Sequence, residues 1–322
     1  MTSNANRVLM AVVLSTLPLA GAAQNFPERP IRFILGVATG GGQDTVARAM
    51  APKLSSALGA NIIVDNRPGA GGGIGAELAK QANPDGYTLL MISSSNVIRP
   101  ILYGASYDVR RDYSPIGQLV TQPYMLAVTT SLPVKSVVEL ISYAKSHPGK
   151  LSFSSAGSGS LTHLAEELFK EQAQIDIVHV PYKGSGAAYP DLIAGRIHAG
   201  FLTMVSAQPH VRANRLRALA VSSVKRVSSA PTLPTVAEAG LAGYAVTQWY
   251  GVLAPAQTPT AIVNKLNKSI VSVIEDPELS RHLAADGAEA SPSTPQEFAI
   301  HLKAEHDRWS RLIEKSGLRK IK

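Results

Sequence analysis

Short apolar runs alternate with longer amphipathic stretches from residue 31 to residue 221, and glycine- or serine-rich loops join several of them. No other feature restricts the fold so strongly, because buried strands followed by one-sided helices bury their apolar faces only by stacking as layers. Residues 31–35 read as a buried strand, 36–43 as the loop behind it, and 44–58 as a helix with Val46, Ala47, Met50 and Leu54 on one face. Further strands are expected at 62–64, 88–92, 125–128, 151–153, 177–180, 197–202 and 216–221. The alternation predicts an α/β fold with largely parallel sheets. Ser136 with Glu139, Thr235 with Glu238, and Thr294 with Pro295 and Glu297 have the hydroxyl-and-glutamate spacing of helix starts. Asn83-Pro84-Asp85-Gly86 and Pro148-Gly149 read as turns, and long helices are expected near 259–274 and 295–315. A change of sheet is expected at 121–124 and a return at 246–251. One domain, residues 24–122 and 247–322, would then be interrupted by a second, 123–246.

A chain of 322 residues has enough length for two such cores. It contains no Cys, which excludes a disulfide scaffold and any Cys-ligated zinc or iron–sulfur site. With 45% hydrophobic and 17% charged residues it is not a disordered chain. At the N-terminus Arg7 precedes an apolar run from Val8 to Ala20, followed by the small residues Gly21, Ala22 and Ala23. This pattern predicts a secretory signal peptide, residues 1–23, cleaved near Ala22 or Ala23. The run has about 13 residues and contains Pro18, short of the ~20 that span a bilayer. A free periplasmic protein is therefore expected. Lys and Arg number 31 against 23 Asp and Glu, and losing Arg7 lowers the net charge from +8 to +7. These cations are scattered, without the clustered footprint of nucleic-acid binding.

Three loops precede helices and suit an anion: Thr39-Gly40-Gly41-Gly42-Gln43-Asp44, Gly69-Ala70-Gly71-Gly72-Gly73-Ile74-Gly75 and Ser154-Ser155-Ala156-Gly157-Ser158-Gly159-Ser160. Glycine lets backbone N–H groups face a ligand, and the helix end behind adds unpaired donors. Any one of them is equally readable as an ordinary strand-to-helix connection. Gly71-x-Gly73-x-x-Ala76 fits a relaxed dinucleotide fingerprint, but Asn96 stands where the ribose-binding acid belongs, and no phosphate-binding G-x-x-x-x-G-K-[ST] occurs. Ser158 and Ser160 lie near His163, yet the G-x-S-x-G elbow is absent, and Ser160 and His163 are spaced as helix cap and third helical residue. His163, His179, His198 and His210 form no H-E-x-x-H pair. No catalytic residue, metal or cofactor is expected.

At these loops the sequence resembles the Bug family, the periplasmic solute-binding proteins of tripartite tricarboxylate transporters. The likeness runs through Pro30-Ile31-Arg32 and Gly40-Gly41-Gly42-Gln43-Asp44, then Asp65-Asn66-Arg67-Pro68-Gly69-Ala70-Gly71-Gly72 and Pro84-Asp85-Gly86-Tyr87-Thr88-Leu89-Leu90. It continues through Tyr107-Asp108, Ser155 to Ser160 with His163-Leu164-Ala165, Val180-Pro181-Tyr182-Lys183-Gly184, Pro234-Thr235-Val236-Ala237-Glu238-Ala239-Gly240, Trp249-Tyr250-Gly251 and Ala254-Pro255. The resemblance implies a type II periplasmic-binding-protein-like fold, two α/β domains with a ligand cleft between them. It implies a non-enzymatic, monomeric receptor that takes a small carboxylate for the membrane components of such a transporter. Carried onto this chain, the first loop contributes Val37, Thr39, Gly40, Gly41 and Asp44, and the second Ser155, Ala156, Gly157, Ser158 and Ser160 with His163. Ser94 and Ser95 would line the same wall, Tyr182, Lys183 and Gly184 a third loop, and Thr203 the end of a strand. Asp44 is as compatible with capping its helix as with touching ligand, and Lys183 with a solvated loop cation.

Two departures from the family pattern bear on the ligand. Gly36-Val37-Ala38-Thr39 replaces the usual Pro-Phe-x-Pro, removing an aromatic wall and two rigid prolines. Leu202, followed by Thr203, stands where relatives often carry an Asp. A ligand ammonium buried beside Leu202 without a countercharge would cost several kcal/mol, on the order of the desolvation penalty of an ion. A mono- or dicarboxylate with an uncharged core is expected, an aromatic one such as terephthalate included. The competing readings are a secreted Ser/His esterase and a receptor that reports ligand to a signalling partner.

Overall fold

The computed structural model describes residues 25–318 apart from 38, 40, 41, 183, 184 and 286, so the predicted signal peptide, residues 1–23, and its predicted cleavage point lie outside the described residues. The chain begins with β1 (Ile31–Leu35), α1 (Gly42–Leu58), β2 (Ile62–Asn66), α2 (Gly73–Lys80), β3 (Thr88–Ser93) and α3 (Ser94–Tyr103). There follow β4 (Tyr113–Thr129), α4 (Val137–Ser146), β5 (Leu151–Ser155), α5 (Leu161–Ala173), β6 (Ile177–Pro181), α6 (Tyr189–Ile193), β7 (Ala199–Thr203), α7 (Met204–Arg212) and β8 (Leu216–Val221). The chain then returns through β9 (Thr247–Pro255), α8 (Thr260–Ile274), α9 (Pro277–Ala285), β10 (Glu289–Ala290) and α10 (Pro295–Ser316).

The strand order is β2-β1-β3-β9-β4-β7-β5-β6, with β8 and β10 paired to β4 off this path. Parallel pairing holds in the two flanks, β2-β1-β3 and β7-β5-β6. The expectation of largely parallel sheets needs correction at the centre, where β9 and β4 run antiparallel to each other, β9 to β3 and β4 to β7. β4 carries the crossing: from Tyr113 to Pro123 it pairs with β9, and from Tyr124 to Thr129 with β7 and β8.

The first half of β4 escapes a search for apolar runs because Pro115, Gly117 and Pro123 interrupt it. The register shifts between Pro115 and Gly117 and between Gln118 and Val120 absorb those interruptions. The helix expected after Thr235 is also corrected. Thr235 and Glu238 exchange both capping bonds, at 3.0 Å each, but only one turn forms. Leu241 returns its N–H to the Val236 carbonyl, and this curl buries Val236 and Leu241 together. Helix α9, unforeseen, starts where the Asp276 carboxylate accepts the Leu279 N–H at 2.9 Å.

Apolar side chains fill both faces of each flank. Val46, Ala47, Met50 and Leu54 of α1 pack under Phe33, Leu35, Leu89 and Met91, as their helical spacing requires. On the opposite face one core runs unbroken from Ile92 and Ile98 through Phe153, Phe169 and Phe201 to Trp249, Phe298 and Trp309. The crossing strand β9 links these layers by alternation. Trp249 points to α10, where its indole and that of Trp309 both donate to Glu305, at 3.0 and 2.9 Å. Tyr250 points to the α1 side. At Gly251 a Cβ would lie 2.1 Å from the Phe298 ring, so only glycine lets α10 approach.

Candidate functional site

The strand register sets the ends of β3 and β7 against each other. Ser93, the last residue of β3, is level with Tyr250, which is level with Val120 of β4. Thr203, the last residue of β7, is level with Tyr124. Because β3 and β7 run in opposite directions, their C-terminal ends face across Val120 to Tyr124, four residues or about 13 Å of strand. Helices α3 and α7 begin immediately behind these ends, and α1 and α5 begin behind the neighbouring strands β1 and β5. Helix N-termini from both flanks therefore face a common gap. This is the carboxyl-end crevice where open α/β sheets take ligands and where unpaired N–H groups favour an anion.

On the first flank Asp44 is fully buried, and its carboxylate is tied down. Arg48 Nε donates to both oxygens at 2.9 and 3.0 Å, and Asn66 Nδ2 donates to Oδ1 at 3.0 Å. Asn66 also donates to the Val37 carbonyl at 3.1 Å and accepts from Arg48 at 2.9 Å. Asp44 thus anchors the loop, and Arg48 offsets its negative charge beside a gap suited to anions. Thr39 is exposed, 3.5 Å from the Asn66 Oδ1. Val37 is half-buried against the core beneath α1. Gly40 and Gly41 lie outside the described residues.

The start of α1 rests directly on the crossing strands. A Cβ on Gly42 would sit 2.4 Å from the Tyr250 hydroxyl, which itself donates to Gln122 Oε1 at 3.2 Å. A Gly42→Ala variant is expected to push the helix end outward and weaken ligand binding about 10-fold, the effect of misplacing one helix-end contact worth about 1–2 kcal/mol. Isothermal titration would measure it, and unchanged affinity would mean that this helix end does not touch the ligand.

At α3, Ser94 is fully buried and its hydroxyl has no partner among the described residues, as is also true of Gln43 Oε1 on α1 and Gln248 Oε1 on β9. Buried polar atoms are rarely left without a partner, so each of these is available to a ligand group. Ser95 is half-buried beside Ser94. Asn96, the residue that defeats a dinucleotide reading, holds the turn by accepting the Ser93 N–H at 3.0 Å.

The second flank shows which donors remain free. Inside the loop, the Ala156 N–H goes to Thr162 Oγ1 at 2.9 Å, the Gly157 N–H to Ser155 Oγ at 3.1 Å and the Gly159 N–H to His163 Nδ1 at 3.0 Å. The N–H groups assigned to ligand at Ala156 and Gly157 thus hold the loop's own shape. Among the described residues the Ser158 N–H has no internal acceptor, and the N–H groups of Leu161 and Thr162 open α5, where no carbonyl of their own helix precedes them. Ser158 is exposed, and Ser160 caps α5 by accepting the His163 N–H at 3.3 Å.

Beneath this loop His163 stacks on His179, ring centroids 3.7 Å apart, and His179 Nε2 lies 2.6 Å from Ser155 Oγ. Burial, then the neighbouring His179, lowers the His163 pKa to about 4, and burial lowers that of His179. Both rings are neutral at pH 7, so these side chains add no positive charge to the wall. Tyr182 donates its hydroxyl to Asp191 at 2.7 Å and its N–H to the Ser155 carbonyl at 3.1 Å, and so braces the loop. Lys183 and Gly184 lie outside the described residues. Thr203 starts α7 without a side-chain cap bond, and the Leu202 side chain is buried in the core of the second flank. Gln43, Gln122, Gln248, Tyr250, Thr162 and His179 lie at the candidate site and were not among the residues that sequence reasoning assigned to it. Polar residues in alternation on the crossing strands were the available signal for Gln248 and Tyr250.

The profile of the tripartite tricarboxylate transporter family receptor matches residues 46–318. The chain belongs to this family. BugT of Bordetella pertussis (strain Tohama I) is 34% identical over 320 residues, covering 96% of this receptor and 97% of that protein, which places the receptor in the Bug group. Among solved structures, R. palustris Rpa4515 with adipate is 35% identical, with a TM-score of 0.78 and coverage of 91% of this chain and 99% of that one. MatC (Rpa3494) from Rhodopseudomonas palustris with bound malate is 30% identical, with a TM-score of 0.73 over 89% of this chain and 100% of that one. The fold is that of α/β periplasmic binding proteins, and a periplasmic location follows from the family. No described helix of the receptor is long and apolar enough to cross a membrane.

Proposed function

We propose that this receptor captures a small dicarboxylate or monocarboxylate between two lobes, residues 24–122 with 247–322 and residues 123–246, which close over it about the crossing strands. The carrying observation is the gap between the ends of β3 and β7, which the start of α3 with the unpaired Ser94 hydroxyl lines on one side and the N–H groups of Ser158, Leu161 and Thr162 at the start of α5 on the other. Closure dehydrates the anion and strengthens each contact. The relatives solved with adipate and malate support a dicarboxylate with an uncharged core. The absence of an acid at Leu202, where relatives often carry an Asp, argues against amino-acid ligands. Terephthalate fits the same description, with two carboxylates on an uncharged ring.

The monomeric protein, exported by residues 1–23, passes the ligand unaltered to the membrane components of a tripartite tricarboxylate transporter. Binding without turnover is supported by the disposition of Ser160. Its hydroxyl meets Thr162 Oγ1 at 3.0 Å and the backbone of His163 rather than the imidazole. A thermal-shift series with adipate, malate, terephthalate and glutamate tests the reading. Saturating ligand at 100 times Kd stabilises by about 2.7 kcal/mol, several degrees in Tm. The expected order places the dicarboxylates above glutamate, and Ser160→Ala weakens binding with no ester hydrolysis in either form. Stabilisation by sugars or cations alone, or ester hydrolysis that Ser160→Ala abolishes, would overturn it.

A further inference from the structure

A recess of about 460 Å3 lies between α5 and α10, apart from the facing helix ends. Arg308, Arg311 and Lys315 occupy one face of α10 at spacings of three and seven residues, and Glu171 and Gln172 of α5 stand opposite. Lys315 pairs with Glu171 at 2.5 Å. Arg308 is positioned by stacking over the Trp309 ring and by donating to the Ala245 carbonyl. The nearest carboxylate oxygen to Arg308, on Glu305, is 4.0 Å away, and the other Glu305 oxygen already accepts both indoles. Burial accordingly lowers the Arg308 pKa. Among the described residues neither the Arg311 nor the Gln172 side chain makes a hydrogen bond or ion pair. Three cations thus face only Glu171 and, at the 4.0 Å limit of an ion pair, Glu305, and two guanidinium groups one turn apart retain unused donors.

We propose that this recess is a second anion site, for a small soluble oxyanion carrying at least two negative charges. Paired guanidinium forks match the oxygen spacing of phosphate or carboxylate groups, and a half-buried, pre-positioned Arg308 strengthens the contact. The two walls belong to different flanks, since α5 covers β5 and β7 while α10 packs on α3. An anion held here ties the flanks together, and its binding and that of the cleft ligand alter each other's affinity by one common factor.

The test is isothermal titration of inorganic pyrophosphate, which carries no carboxylate, into the full mature chain at fixed ionic strength. One equivalent is expected to bind with a submillimolar Kd. Arg311→Glu and Lys315→Ala should weaken it by about 10-fold or more while both variants keep the wild-type circular dichroism spectrum, and Ser158→Asp should leave it within about threefold. Loss of pyrophosphate binding in Ser158→Asp with retention in Arg311→Glu would place the anion between the facing helix ends and overturn the proposal. Absence of binding to the wild type at 10 mM, or equal affinity in all variants, would overturn it as well and leave the recess a solvated basic face.

Discussion

Replacing Ser158 by Asp is expected to weaken carboxylate binding on the order of 100-fold while leaving the unfolding temperature nearly unchanged. Ser158 is exposed and outside the core, and its N–H lacks an internal acceptor, so the new carboxylate enters the gap without disturbing the core. Two unit charges about 5 Å apart at an effective dielectric near 20 repel by about 3 kcal/mol, which sets the size of the loss. The new group also accepts from the free N–H groups of Leu161 and Thr162 and so displaces the ligand from them. Titration of Ser158→Asp and Ser158→Ala with the same dicarboxylate separates these effects, because the alanine variant loses only the hydroxyl and should weaken binding about fivefold, near 1 kcal/mol. Equal affinities in the aspartate variant and the wild type would remove Ser158 from the ligand wall and contradict the proposed placement of the anion.

The flanks were legible from the sequence because their strands are largely buried on both faces and carry short apolar runs, as residues 33–35 and 89–92 do. The crossing was located to within a few residues, yet the 17-residue length of β4 was not. Its first half lies in a proline- and glycine-broken stretch whose strand character comes from pairing with β9, a contact between residues more than a hundred positions apart. The loops were recognisable by composition, but composition does not say where each N–H points. Ser155, Thr162 and His163 take the N–H groups of Gly157, Ala156 and Gly159, so Ser155 and His163, which the resemblance assigns to the ligand wall, also brace the loop. Asp44 differs in this respect. An acid four residues before Arg48 on a helix is a readable ion pair, and the structure makes it the anchor of the first loop.

The loop before α5, braced by His163, should make stability fall with acidification between pH 6.5 and 4. His163 has a folded-state pKa of about 4 against an ordinary value of 6.5, because burial, the stacked His179 and the nearby Lys170 all oppose its charge. Glu167 Oε1, 3.8 Å from its Nε2, is the one group placed to favour protonation, and it is outweighed. A base with a depressed folded pKa binds its proton first in the unfolded chain. Its contribution is therefore complete above pH 6.5 and is lost as pH falls through 4. At 1.36 kcal/mol per pKa unit the loss approaches 3 kcal/mol. Protonation of Nδ1 also removes the acceptor of the Gly159 N–H, so the ligand loop loses its brace in the same window. Glu166, fully buried two residues before Leu168, acts with the opposite sign. Its folded pKa is raised well above 4.5 by burial and then by Glu167, so its penalty is relieved as pH falls. A comparison of wild type with His163→Gln cancels that contribution, since Gln retains an acceptor for Gly159 and does not titrate. Urea unfolding at pH 7, 5.5 and 4.5 should show the wild type losing stability relative to the variant at each step, and parallel curves would assign the neutral ring no part in holding the loop.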